Sequence, residues 1–283
     1  MNDPNAGIRN FSDTALWVAY IRAVETRRAD AVFCDPYAER LAGARGLQIA
    51  QSLGREDTQE WGWVARTYQF DALLSRLLRD GTDLVLNLAA GLDSRPYRMD
   101  LPSTLQWVEV DFPEIISYKE KILATEKPRC RLERVALDLS DAPGRRALFQ
   151  ALNARAAKIA VLSEGLLIYM EPEHVAALAR DLACGPHFQN WIVDLCSTIQ
   201  LIVMQRTFDR QLSAANLAFK FGPPEGVDFF RPHGWEPKEV HGLLQTAADM
   251  NRAPEQFLSL LPDPNPIPPN FPWSGVCLLQ KPE

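Results

Sequence analysis

Four short strand-like segments in this chain, three of them apolar runs and one (131–137) with Leu132, Val135 and Leu137 apolar, each end on a glycine or an acid. Residues 84–88 (LVLNL) run into Ala89-Ala90-Gly91, and residues 105–110 end in Asp111. Residues 131–137 end in Asp138, and residues 158–163 end in Glu164. Runs of this length closed by turn residues read as buried parallel strands. Ligands of open α/β sheets bind outside the carboxyl ends of such strands. A glycine at the first tip lets a ligand approach the backbone. An acid about 20 residues further on accepts hydrogen bonds from both hydroxyls of a ribose. The chemistry on offer is therefore recognition of a nucleoside at a line of strand tips.

The turn after the first run holds one glycine, Gly91, followed by Leu92-Asp93-Ser94-Arg95-Pro96. Pro96 opposes a long helix starting at Gly91. A pyrophosphate calls for several glycines and a helix N-terminus aimed at it, so the turn favours a nucleoside without phosphates, such as S-adenosylmethionine (SAM), over a dinucleotide. At SAM sites, the position of Asp138 commonly meets the adenine amino group, and the backbone amide of the next residue, Leu139, a ring nitrogen. A helix N-cap is the competing role for this stretch, and Ser140 or Asp141 can also fill it.

The segments NLAAGLDSRPYR, VEVDFPEII and LSEGLLIYM, in that order, resemble the leucine carboxyl methyltransferase family. The N-terminal SDTALWVAYIRAVETRRADAVFCDPYAERLAG resembles that family's bacterial branch, which includes O-methyltransferases of polyketide biosynthesis. The likeness runs from Ser12 to about Met170 and thins beyond it. It implies a doubly wound, mostly parallel, seven-stranded Rossmann-like α/β sheet with SAM as cofactor and S-adenosylhomocysteine as product. It also implies that Ala89 and Gly91 belong to the cofactor turn, that Arg66 grips the methionine carboxylate, that Glu164 faces the cofactor and that Tyr169 faces the substrate. A guanidinium suits a carboxylate because it makes two parallel hydrogen bonds to it. Without the resemblance, Arg66 reads as a surface arginine and Tyr169 as a core aromatic.

The surrounding elements must hold these groups in place. Ser12 and Asp13 read as caps of a helix to about residue 28. Asp35-Pro36 reads as the start of a second, short helix, followed by a less defined stretch to residue 57. A third helix spans 58–79. These three precede the first strand and form a cap over the ligand edge. Helices are expected at 113–126, 143–156 and 172–183, and a fifth strand at 191–195, with Asp194 near its tip. Residues 197–250 interrupt the alternation: a long helix after Thr198 carries Phe208, an aromatic group follows (Phe219, Phe221, Phe229, Phe230, His233, Trp235), and a helix runs from Glu236 to Met250. This insertion reads as a wall for a hydrophobic acceptor or as local packing. Residues 261–273 (LPDPNPIPPNFPW) read as stiff extended coil, and 276–280 as a strand at the sheet's edge. The division is a cap (1–80), a cofactor core (81–196), a substrate-side insertion (197–250) and a C-terminal coil and strand (251–283), all in one domain.

Composition narrows the partners. A chain of 283 residues with 47% hydrophobic and 23% charged side chains buries a sizeable core. A net charge of −6 disfavours nucleic acid. No stretch approaches the roughly 18 apolar residues of a membrane span, and the start lacks a signal-peptide core. The five cysteines show no metal-type spacing and read as reduced thiols of a cytoplasmic protein. The expected partner is a small-molecule acceptor, with no metal, nucleic acid or membrane, and the oligomeric state is open. A carboxylate acceptor is ionised at neutral pH and needs no general base. A phenol needs one, and His233 is the candidate. Competing readings are a protein C-terminal carboxyl methyltransferase, an NAD(P)-dependent dehydrogenase, an N-methyltransferase and a SAM-binding module without activity.

Overall fold

The computed structural model describes residues 8, 10–53, 57–214, 217–264, 267–268 and 270–282. Parts of two expected coils, 54–56 and 265–266 with 269, lie outside them.

The strand β1 (Leu84–Leu88) is buried along its whole length, as is β4 (Ile159–Ser163). Full burial of each Leu, Ile or Val side chain contributes about 1.5–3 kcal/mol. Between them in sequence lie β2 (Gln106–Asp111) and β3 (Arg131–Ala136), and beyond them β5 (Phe188–Cys196), β6 (Glu236–Gly242) and β7 (Ser274–Gln280). The seven strands form one sheet in the order β3-β2-β1-β4-β5-β7-β6. The first five pair in parallel, and β7 runs antiparallel to both β5 and β6. Strand order reverses between β1 and β4, the position at which α/β sheets open a ligand crevice. The register there sets Asn87 opposite Glu109 on one side and Leu162 on the other, which brings the β1, β2 and β4 tips side by side.

Helices cover both faces. On one face, Phe149 and Leu152 of α6 (Ala142–Asn153) and Leu178 and Leu182 of α7 (Pro172–Ala183) pack with Trp191 and Trp235. On the other, Phe70, Leu74 and Leu77 of α3 (Asp57–Arg79) pack with Val85, Trp107 and Ile192, joined by Leu243 and Ala247 of α9 (Leu243–Asp249). So α3 is only partly a cap, because its C-terminal half is a layer of the sandwich. The caps proper are α1 (Phe11–Thr26) and α2 (Ala38–Ser52), which close with Leu92 and Tyr97 into a separate core. The remaining helices are α4 (Arg95–Arg98), the short turn that Pro96 permits, α5 (Pro113–Ile122) and α8 (Thr198–Ala214).

Several boundaries differ from those read in the sequence. The cap of α1 is Asn10, in extended conformation, whose Oδ1 accepts from Asp13 N at 3.0 Å. Asp35 does not start a helix: it accepts Arg22 Nε at 2.9 Å and Tyr37 N at 3.2 Å, and α2 begins after it and continues past a kink at Gly43. Residues 236–242 form β6, not the first half of a helix. Proline is tolerated there because β6 is an edge strand. The last strand, β7, lies inside the sheet between β5 and β6 rather than at its edge. Among the described residues, no helix is long and apolar enough to cross a membrane.

Candidate cofactor and acceptor site

A cavity of about 950 Å³ opens over the carboxyl ends of β1, β2, β4 and β5 and is roofed by α1, α3 and α8. Arg66, Ala89, Gly91, Asp111, Asp138, Leu139, Glu164 and Tyr169 all line it. His233 does not. It ends a 3₁₀ turn (Gly226–His233), where its Nδ1 lies 3.3 Å from Arg180 Nη1 and its ring packs on Phe229. Burial and the neighbouring guanidinium both lower its pKa.

The turn after β1 is built for close approach. Gly91 has φ +50°, and Ala89 shares that left-handed conformation, which costs a residue with a side chain about 1–2 kcal/mol. Gly91 N donates to Asp111 Oδ2 at 2.6 Å, and Phe112 N donates to Oδ1 at 2.7 Å. Burial raises the Asp111 pKa, partly offset by these two amides. A carboxylate keeps further lone pairs beyond the two used here. At the β3 end, Asp138 Oδ1 accepts Ser140 N at 2.8 Å, while the cap of α6 is Asp141, whose Oδ1 accepts Gly144 N at 3.2 Å. Arg145 Nη1 donates to Leu139 O at 2.6 Å and ties the loop to α6.

At the centre lies an ionic network. Arg66 Nε donates to Glu164 Oε1 at 3.2 Å and Nη1 to Asp194 Oδ2 at 3.1 Å. Asp194 Oδ1 accepts Gly165 N at 2.7 Å. Gly165 has φ +69°, and a Cβ there would stand 3.3 Å from Arg66 Nη1, so the glycine leaves room for the guanidinium. Glu164 Oε2 accepts Arg95 Nη1 at 2.8 Å. Burial favours the neutral acid at Glu164, but Arg95 and Arg66 outweigh it and hold its pKa below the ordinary value. Burial prevails at Asp194, whose pKa is raised despite Arg66. Asp93 also lines the cavity and is held well below the carboxylate range, since Arg95 and other cations overcome its burial.

The opposite wall is aromatic. The Trp17 and Trp63 rings lie 4.8 Å apart, Trp17 and Phe208 5.8 Å, and Phe208 and Phe219 6.1 Å. Tyr169 stacks obliquely on Phe219 at 5.3 Å, and its side chain hydrogen-bonds Thr14. Burial pushes the Tyr169 phenol up to about 12 and the Cys196 thiol, in the same cluster, up to about 12. The aromatic group read in the insertion divides: Phe219 and Phe221 line the cavity, whereas Phe230 and Trp235 pack behind Trp191 in the core.

Asp93, Arg95, His174 and Asp194 also line the cavity but were not picked out from the sequence as site residues. Asp194 had a signal, an acid near the end of a strand. Asp93 and Arg95 stand in the glycine turn itself. His174, in the first turn of α7, had none.

The donor set suits a nucleoside with a charged amino-acid tail. The turn has a single glycine and no run of free amides for a pyrophosphate. An acid stands at the β2 tip. Among the described residues, Arg66 Nη2 has no protein partner, which leaves the guanidinium one nitrogen for a ligand carboxylate.

A model of the leucine carboxyl methyltransferase family matches residues 15–183. A protein of Streptomyces avermitilis, assigned by name to the SAM-dependent methyltransferases, is 32% identical over 250 residues, covering 84% of this chain and 87% of its own. A Streptomyces coelicolor protein assigned likewise is 31% identical, with coverage of 84% and 87%. Among solved structures, a DUF574-family protein of Streptomyces avermitilis superimposes with a TM-score of 0.61 at 14% identity, over 95% of this chain and 97% of that one. One from Thermobifida fusca gives 0.59 at 15%, over 92% and 96%. Both share the fold described above.

Proposed function

The chain belongs to the leucine carboxyl methyltransferase family and is a SAM-dependent methyltransferase; we propose that it methylates oxygen, on the carboxylate of a small, largely apolar acceptor such as a polyketide-type metabolite. SAM supplies the methyl group and carries its own leaving group, a sulfonium that departs as a thioether. The protein's residues supply binding, alignment and exclusion of water. Arg66 holds the amino-acid carboxylate, Asp111 the ribose hydroxyls, and Asp138 with the Leu139 amide the adenine. Glu164 and Asp194 keep Arg66 oriented. Tyr169, tied to Thr14, orients the acceptor.

The observation that carries the choice of carboxylate is that the central acids of the cavity are already bonded and its aromatic wall offers no anion. Burial pushes the Tyr169 phenol and the Cys196 thiol up to about 12, away from neutral pH. Glu164 and Asp194 are already engaged by arginines. A carboxylate arrives ionised and asks for no base. A phenol would have to draw on His174, which lines the cavity from α7.

The test begins with S-adenosylhomocysteine, NAD and NADP in a thermal melt, where ligand at 100 times its Kd adds about 2.7 kcal/mol of stability. Only S-adenosylhomocysteine should raise Tm. Methyl-labelled SAM is then offered with apolar carboxylic acids, phenols, amines and leucine-terminated peptides. A methyl ester releases methanol in mild alkali, and that volatile label is the expected product. An alkali-stable methyl group, or labelling confined to peptides, would sink the proposal.

A further inference from the structure

Arg95 stands where three segments of the chain meet, and the reaction described above gives it no task. It is 2% exposed, yet three of its nitrogens donate. Nε donates to Asp71 Oδ1 of α3 at 2.6 Å. Nη1 donates to Asp93 Oδ2 at 3.0 Å and to Glu164 Oε2 at 2.8 Å. Nη2 donates to Thr67 O at 3.4 Å. Only the planar fork of a guanidinium reaches so many acceptors in fixed directions, and an ammonium cannot. Asp71 is itself braced by Arg98, whose Nη1 and Nη2 lie 2.6 and 2.8 Å from its two oxygens. Arg95 is thus anchored on α3 and presses on the tips of β1 and β4.

Glu164 passes this constraint on. Its Oε2 is held by Arg95, and its Oε1 by Arg66 Nε at 3.2 Å. The geometry points to Arg95 as the positioning residue of the cofactor site: by fixing Glu164 between two guanidiniums, it sets Arg66 in the orientation that receives the cofactor's carboxylate. This rests on the reading of Arg66 given above. The groups that act on Glu164 are Arg66 and Thr67 from α3, Asp93 and Arg95 from the segment after β1, and Asp194 from β5. Of the two cations, Arg95 exerts the stronger pull toward ionisation, and Asp93 opposes both.

The test is a double-mutant cycle read by calorimetric titration of the full chain with S-adenosylhomocysteine. Arg95→Lys keeps the charge but loses the fork, and should weaken binding about tenfold. In a Glu164→Gln background, the same change should cost little more, because Arg95 acts through Glu164. Losses that simply multiply across the cycle would assign Arg95 to packing and overturn the inference. A second readout is pH. Arg95→Gln removes the larger cationic pull, so Glu164 takes up a proton at higher pH and releases Arg66. Affinity in that variant should fall with decreasing pH over a range in which the wild type stays flat. A flat profile in folded Arg95→Gln overturns the inference. If the Arg95 variants do not fold, Asp71→Asn, which loosens the anchor outside the cavity, takes their place in the cycle with the same expectation of a non-multiplying, severalfold loss. Failure of the wild type to bind would overturn the cofactor reading and this inference together, whereas wild-type binding with multiplying losses overturns this inference alone.

Discussion

On the floor of the cavity, almost every polar group is tied to another by a directed bond. Asp111 takes two backbone amides, Glu164 two arginines, and Asp194 an amide and an arginine. On the aromatic wall, rings meet rings at 4.8 to 6.3 Å with tilted or edge-on planes. The floor rests on strand ends whose register is fixed by backbone pairing. The wall rests on α1, α3, α8 and the loop after α8, whose Lys220 and Phe221 amides donate to Ile168 O, and its rings meet by side-chain packing. Directed bonds in a buried setting discriminate sharply, because an unpaired partner is costly. Ring packing tolerates exchange of similar shapes. On the proposed reading, the cofactor is fixed by polar geometry and the acceptor is left to shape and volume.

Substitutions can break or sharpen that contrast. The largest effect is expected at Arg66→Ala, which leaves Asp194 without its cation and removes the carboxylate grip. S-adenosylhomocysteine affinity should drop by about 3 kcal/mol, measured by calorimetry. A loss below tenfold would mean that the floor is not organised around Arg66. Asp111→Ala should cost about 2 kcal/mol in the same titration, from the lost hydroxyl acceptor and two orphaned amides. Unchanged affinity there would remove Asp111 from the cofactor site. Phe208→Leu keeps much of the volume but removes three ring contacts. It should raise the acceptor KM by roughly fivefold, about 1 kcal/mol, with cofactor affinity unchanged. Equal losses for both ligands would show that wall and floor are not separable. Tyr169→Phe should lower kcat a few-fold while leaving S-adenosylhomocysteine affinity as it is, and the opposite pattern would move Tyr169 to the cofactor side. The smallest effect is expected at His233→Ala, less than about twofold on kcat/KM at any pH, since its ring is outside the cavity. A collapse of activity there would restore it as a base.

The two regions also differ in how far the sequence reveals them. The strand tips were legible because β1 and β4 are buried on both faces and carry almost no polar residue before the tip. Gly91 and Glu164 follow from that pattern, whereas Asp111 and Asp138 follow the less uniformly apolar β2 and the half-exposed β3. The ionic network was not legible in full, since Arg95 finds its partners at Asp71 and Glu164, far away in the chain. Proximity of that kind exists only after α3, β1 and β4 are assembled. The wall was read as aromatic but not resolved, because periodicity does not say that Phe219 turns to the cavity while Phe230 turns to Trp191. Residues 236–242 misled for a local reason. Glu-Pro is a common helix start, and an edge strand offers the same dipeptide a place without a lost ladder bond.

The separation of Arg66 from its partners along the chain also bears on synthesis. Glu164 lies 98 residues and Asp194 128 residues downstream of it. At about 5–20 residues per second, α3 leaves the ribosome roughly ten seconds before the first of these carboxylates exists. Through that interval the guanidinium is held by water, and the rings of Trp17 and Trp63 have neither Phe208 nor Phe219 to cover them. The α1 and α3 parts of the roof are made first and wait for the rest. The order of translation thereby makes closure of the cavity a late step in the protein's birth, dependent on strands, and on α8, that had not been made when α1 and α3 emerged.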